Sequence, residues 1–363
     1  MPRNDSRMGS RSSRVSPRIV PSQKSGESPK NSRLISVLLS TLLSAIPLAA
    51  QSTPSTALLV LSKLDQTLAI VDPASLQVVT TVPSGPDPHE VVASTDGKVA
   101  FISNYGGGEY NTISVVDLGA QKPLARIDLG ALHGPHGLAY AGDKVYFTAE
   151  INKVIGRYDP ATQKIDWVLG TGQNRTHMIA VSSSLDHIFT SNVNSGTISI
   201  IESHPGGGGR TEPDWDETVV DTGRGTEGFD ISPDGKELWS AEAQKGTISV
   251  IDLATKKRVQ TFEANVKGAN RLKFTTDGKL VFVSSLSGGG GLAVFDAASR
   301  REVKRVNVGH GAAGILMQPD GTRAYVACSP DNYVVVIDLR TLEITSRINA
   351  GHQPDGLAWA TRP

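Results

Sequence analysis

The chain has 363 residues, with 36 Lys and Arg against 36 Asp and Glu, a balance that offers no electrostatic case for a nucleic-acid partner. Its single cysteine, Cys328, excludes an intramolecular disulfide framework and any cysteine-only zinc cluster. Aromatic residues make up only 5%, so a core must be built mostly from Val, Ile, Leu and Ala.

Residues 1–33 are rich in Ser, Arg and Pro and lead into an apolar stretch, Leu34 to Ile46, followed by Pro47-Leu48-Ala49-Ala50. A basic start, a short apolar run and a small-residue cleavage site are the pattern of a secretory signal, with cleavage expected after Ala50. The apolar stretch is shorter than the ~20 residues a membrane-spanning helix needs, so no transmembrane anchor is expected after cleavage. Export to the periplasm, the cell surface or the medium follows, with initiation at Met1 or Met8 both open. Residues 1–50 carry eight basic and two acidic side chains, which leaves 28 against 34 in residues 51–363. The overall neutrality therefore hides a mildly acidic mature chain, better suited to attracting cations than nucleic acid.

From residue 51 onward one pattern recurs. A short strand-like run ends in an acid at Asp72, Asp117, Asp159, Glu202, Asp252, Asp296 and Asp338, spaced 45, 42, 43, 50, 44 and 42 residues apart. Asp96-Gly97, Asp234-Gly235, Asp277-Gly278 and Asp320-Gly321 mark tight turns within the periods, loosened to Gly142-Asp143 and Leu185-Asp186 in two of them. Each period then holds four strands, A to D: around Gly228 to Ser232, Lys236 to Glu242, Thr247 to Asp252 and Lys257 to Glu263 in the fifth. No segment has a helical period. Seven such units predict an all-β chain, a seven-bladed β-propeller of four-stranded antiparallel blades spanning residues 51–363 as one domain. The chain opens on a B-type run, Leu58 to Ser62, and closes on an A-type run, Gly356 to Ala360, so the C-terminal A strand should join the N-terminal B, C and D strands.

The fifth period, Gly228 to Trp239 followed by Gly246 to Leu253, resembles the YVTN-type repeat of YncE-like propellers, a family of bacterial secreted and surface proteins. The resemblance spans all seven repeats and implies the fold; the family hosts unrelated roles, so it names no activity. The third repeat, with Val145 to Glu150 and Lys153 to Arg157, is similar instead to repeats of streptogramin-lyase-type propellers.

In a propeller the A strands line the central channel, and the A-strand starts share a face with the B-strand ends. The seven A-strand starts align as His89, His136, His177, Glu227, Asn270, Ala313 and Asp355, and the B-strand ends as Lys63, Asn104, Glu150, Asn192, Glu242, Ser285 and Cys328. Three consecutive histidines followed by a glutamate make His89, His136, His177 and Glu227 a candidate metal site or acid–base cluster; the alternative is a channel cap bonding loop carbonyls. Glu150 or Glu242 could complete or orient such a set. Imidazoles suit Zn²⁺ and related ions, whereas Mg²⁺ or Ca²⁺ would use the carboxylates with Asn104, Asn192 and Asn270. Arg271, Asp355 and three loop histidines, His133, His310 and His352, are further candidate binding residues on that face.

Other features carry less. Cys328 reads as a buried small hydrophobe, and the glycine runs at 106–108 and 288–291 lack the helix and Lys-Ser/Thr of a phosphate loop. The segment from His204 to Arg210 is an insertion between C and D of the fourth period, a candidate partner contact. Two functions follow: a secreted scaffold binding a small molecule, ion or protein partner through its funnel, or a metal-assisted lyase or lactonase with a histidine as general base.

Overall fold

The computed structural model describes residues 51–209, 213–287 and 291–362; the expected signal segment lies outside the described residues, as do Arg210 and three glycines at 288–290. Among the described residues the regular elements are strands, apart from two single 3-10 turns, Gly106–Gly108 and Gly207–Gly209. The strands form seven antiparallel sheets, one per repeat, and the inner strands of successive sheets touch around a ring. In the fifth blade the order from inside outward is Thr226–Ile231, Glu237–Glu242, Thr247–Asp252 and Lys257–Glu263. Only the second blade departs from this plan: its outer strand is split into Lys122–Pro123 and Ile127–Asp128, both against Thr112–Asp117. Pro123 lacks the N–H that a continuous ladder would use.

The two middle strands of each blade are buried on both faces, which is why they read as near-continuous apolar runs. Along Thr56–Ser62, Ala57, Leu59 and Leu61 pack with Val91, Ala100 and Ile102 of the second blade, while Leu58 and Val60 pack with Tyr325, Ala327 and Val336 of the seventh. Seven such clusters, one at each junction, make up the core. Ring closure is as the repeat phase predicts: Pro354–Thr361 pairs with Thr56–Ser62, setting Leu58 opposite Trp359 and Val60 opposite Leu357.

One regularity was not legible in the sequence. Every inner strand slips register against its neighbour after its first residue, so that two of its residues face one on the second strand. In the third blade the extra pair is His136-Gly137 opposite Thr148, and in the fourth His177-Met178 opposite Ser191. The channel-lining position is thus a β-bulge in all seven blades, a device that re-aims a side chain.

Hydroxyls fix this bulge. Thr148 Oγ1 accepts the Gly137 N–H at 2.9 Å and donates to the His177 carbonyl of the next blade at 2.8 Å. Ser103 bridges Glu90 N–H and the His136 carbonyl in the same way, and Ser191 and Ser284 repeat it toward Glu227 and Ala313. A side chain at Gly137 could not coexist with this packing, because a Cβ there would lie 2.4 Å from the His177 carbonyl oxygen.

Candidate functional site

The seven positions aligned from sequence are each the second residue of an inner strand. His89, His136, His177, Glu227, Asn270, Ala313 and Asp355 all line one cavity of ≈ 160 Å³ at the channel mouth, together with Lys63, Arg175 and Arg271. The second-strand alignment holds less well, since the first and third blades end that strand at Ser62 and Ala149, one residue short of Lys63 and Glu150. Alternation along a strand makes that single residue decisive. Asn104 instead accepts from Ser114 Oγ at 2.8 Å, Asn192 donates to Ser199 Oγ at 2.9 Å, and Glu242 accepts from Thr247 Oγ1 at 2.7 Å. These three serve hydrogen bonds inside their own blades and do not line the cavity. One step further on, Lys63 lines the cavity and Glu150 lies buried behind it against His177 and Arg175.

His177 is the centre of the cluster and is 2% exposed. Its Nδ1–H donates to Glu150 Oε1 and its Nε2–H to Glu227 Oε2 at 3.0 Å. Burial alone would lower its pKa, but bonding to two carboxylates overcomes this and raises it, so the ring is a cation. Burial would likewise raise Glu227, yet His177 and Arg175 pull it down to about 2, and Glu150 is held below its ordinary value by the same neighbours. Arg175 spans both acids, with Nε 3.4 Å from Glu150 and Nη1 3.5 Å from Glu227. Tyr105 donates its hydroxyl to Glu150 Oε2 at 2.6 Å, and burial followed by that acceptor pushes the phenol up to about 12.

His136 differs from its neighbour. Its ring lies 3.7 Å from that of His177, centroid to centroid, and it is 3% exposed. Burial, followed by the charges of His177, His89 and the two arginines, drives its pKa well below the ordinary value, so it is neutral. Its Nδ1 is buried and has no hydrogen-bond partner. His89 closes the row 4.9 Å from His136, with Nδ1 3.4 Å from Asp355 and Nε2 3.4 Å from Asp87. Across the channel Arg271 is buried and paired with Glu90, with a second bond to Asn270 Oδ1 at 3.3 Å.

The loop histidines stay on the rim. His310 and His352 are exposed and bond Asp331 and Asp65 through Nδ1, and His133 bonds the Glu109 carbonyl at 2.9 Å. The Cys328 thiol is buried, donates to the Val308 carbonyl at 3.2 Å and is pushed up to about 12 by burial. Sequence reasoning missed Tyr105, Glu90 and Arg175. For Arg175 a signal existed: the residue two before the lining position has positive φ in every blade, Gly in four of them, and Arg175 adopts φ 60° there. A non-glycine residue in that region is uncommon and tends to mark a functional site.

These features define a seven-bladed β-propeller with a buried, charged cluster at one mouth of its channel. A family model for YNCE-like beta-propellers matches residues 157–323, just under half of the chain, and the seven-bladed ring is in keeping with that likeness. No curated protein matches the sequence. Among solved structures, a candidate 6-phosphogluconolactonase from Bacteroides uniformis is 16% identical, with a TM-score of 0.69 over 84% of this chain and 99% of that one. A functionally unknown protein from Desulfotomaculum acetoxidans is 11% identical, with a TM-score of 0.65 over 82% and 98%. Hydrazine synthase from Kuenenia stuttgartiensis is 18% identical, with a TM-score of 0.60 over 75% and 89%. Likeness at these identities extends to the fold alone.

Proposed function

We propose that this chain is an exported binding propeller whose channel mouth takes one small polar ligand or cation. The observation that carries the reading is the ≈ 160 Å³ cavity ringed by imidazoles, carboxylates and guanidinium groups. Its size, well below the ~300–1,000 Å³ of pockets that enclose larger organic ligands, suits an ion or a very small molecule. Lys63 is paired with Asp355, Arg175 with Glu150 and Glu227, and Arg271 with Glu90, so the fixed cations are already neutralised. The signal-like start at residues 1–50 supports export. A thermal-shift panel of metal cations and small polar molecules on the mature protein tests the reading. At least one should raise the melting midpoint of the wild type and lose its effect in Arg175→Ala; a panel that leaves the wild type unmoved overturns it.

A second reading rests on one contrast, a neutral His136 in close, tilted contact with a cationic His177. Two like groups with pKa values pushed apart are the arrangement of a general base beside a general acid, as lactone hydrolysis or β-elimination requires. The paired cations speak against a phosphorylated substrate of the kind named for the Bacteroides uniformis protein. Turnover of unphosphorylated lactones that disappears in His136→Gln would establish this reading, and no turnover across the panel would remove it.

A further inference from the structure

We propose that His136, His177 and Glu150 form a site for one divalent transition-metal ion of the imidazole-binding class, an inference that rests on reading the channel mouth as a small-ligand site. Two imidazoles and one carboxylate offer ligand atoms all within 4.8 Å of one another, the one such group among the described residues. A tetrahedral ion with bonds of about 2.0–2.1 Å spaces its ligand atoms roughly 3.4 Å apart, so the hydrogen-bonded His177–Glu150 pair opens to about that distance while His136 closes on it.

The independent sign of a missing ligand is His136. A buried ring nitrogen normally finds a hydrogen bond, yet its Nδ1 has none, although the ring packs against His177 and lies within reach of an ion shared with it and Glu150.

The surroundings are already those of a metal site's outer shell. His177 keeps its Nε2–H on Glu227 Oε2, and Glu150 keeps Oε2 on the Tyr105 hydroxyl, so the outer atoms of these two ligands are anchored. The inner atoms, His177 Nδ1 and Glu150 Oε1, face each other across a hydrogen bond. The ion enters there, and His177 releases its Nδ1 proton to solvent as the metal takes that position. Spacing between the two histidines is set by backbone, through the Thr148 hydroxyl that joins the Gly137 N–H to the His177 carbonyl.

The ligand set differs from the one read from sequence. Both His89 nitrogens lie against Asp87 and Asp355, and Glu227 occupies the far side of His177, so neither belongs to the inner shell. One carboxylate with two imidazoles disfavours Mg²⁺ and Ca²⁺, which prefer oxygen. Three protein ligands beside a cavity leave a fourth position open to a water or small anion, as catalytic zinc sites do and closed structural ones do not.

The test uses untagged mature protein titrated with zinc. The wild type should bind one ion per chain, and the X-ray absorption spectrum of that complex should carry scattering from two imidazoles. His136→Gln and Glu150→Gln should abolish stoichiometric binding, Glu227→Gln should weaken it ~10–100-fold, and a His310→Gln, His352→Gln double variant should leave it unchanged. The wild-type spectrum keeps the proposal falsifiable even where a variant fails to fold. No stoichiometric zinc, a spectrum without imidazole scattering, or binding lost in the rim variant would each overturn it. Wild type that ignores zinc but is stabilised by a small organic molecule overturns the metal site while leaving the ligand-binding reading standing.

Discussion

Glu242 shows how one buried carboxyl can be recognised in sequence and still be assigned to the wrong place. It ends a second strand, as Asn104 and Asn192 do, and turns into its blade, where burial pushes its pKa up to about 7 despite hydrogen bonds from Thr247 and Ser240. A carboxyl whose pKa rises on folding stabilises the native state while it holds its proton. Its contribution is complete below the unfolded value of 4.5 and is lost as the pH climbs through about 7. The whole swing is about 3 kcal/mol. Glu242→Gln should therefore be more stable than the wild type at pH 8 and should lose that part of the slope between pH 4.5 and 8, as measured by urea melts across that range; parallel slopes in the two proteins would refute the assignment. One residue further along, Lys63 lines the channel cavity instead, and Glu150 bonds the lining residues His177 and Arg175. Nothing in the residue types separates these two fates, because a one-residue difference in strand end decides which way a side chain points.

At the scale of the element, the inner-strand bulge makes the site. The repeat spacing placed His89, His136 and His177 at equivalent positions, and a two-residue alternation puts equivalent residues on one face. The bulge itself left no pattern in the sequence. It depends on pairs such as Gly137 with Thr148, whose partners are distant in the chain. Thr148→Ala would strand the Gly137 N–H and the His177 carbonyl at a dry junction. The expected cost is about 1–3 kcal/mol, with most of it recovered in Thr148→Ser, as read from denaturant midpoints. Gly137→Ala places a methyl group 2.4 Å from the His177 oxygen and should cost a further amount of about 1–3 kcal/mol while displacing that ring. A Gly137→Ala protein as stable as the wild type would show that the inner strands are not packed this closely.

For the whole molecule, seven periods of 42 to 50 residues made the ring legible before any contact was known. Strands buried on both faces have no other way to cover themselves than against a copy of the same unit. Closure by the last strand was legible for the same reason, since each terminus holds the part of a blade that the other lacks. Removing residues 354–363 takes away the inner strand of the first blade, with Trp359 and its 5.4 Å edge contact to Tyr325, and bares the edge at Thr56–Ser62. The truncated chain should aggregate or melt without cooperativity in size-exclusion and calorimetric measurements; a monomer with an unchanged melt would contradict closure by that strand. The charge cluster at the channel mouth was only half legible. Its histidines came from the repeat, but Tyr105, Glu90 and Arg175 come from turns and bulges that only the assembled ring brings together.

The most direct test of the metal site at the channel mouth is anomalous diffraction from crystals of untagged protein soaked in zinc. One peak is predicted among His136, His177 and Glu150, within bonding distance of all three. A map with no peak there, or with zinc only at the rim histidines His310 and His352, would contradict it.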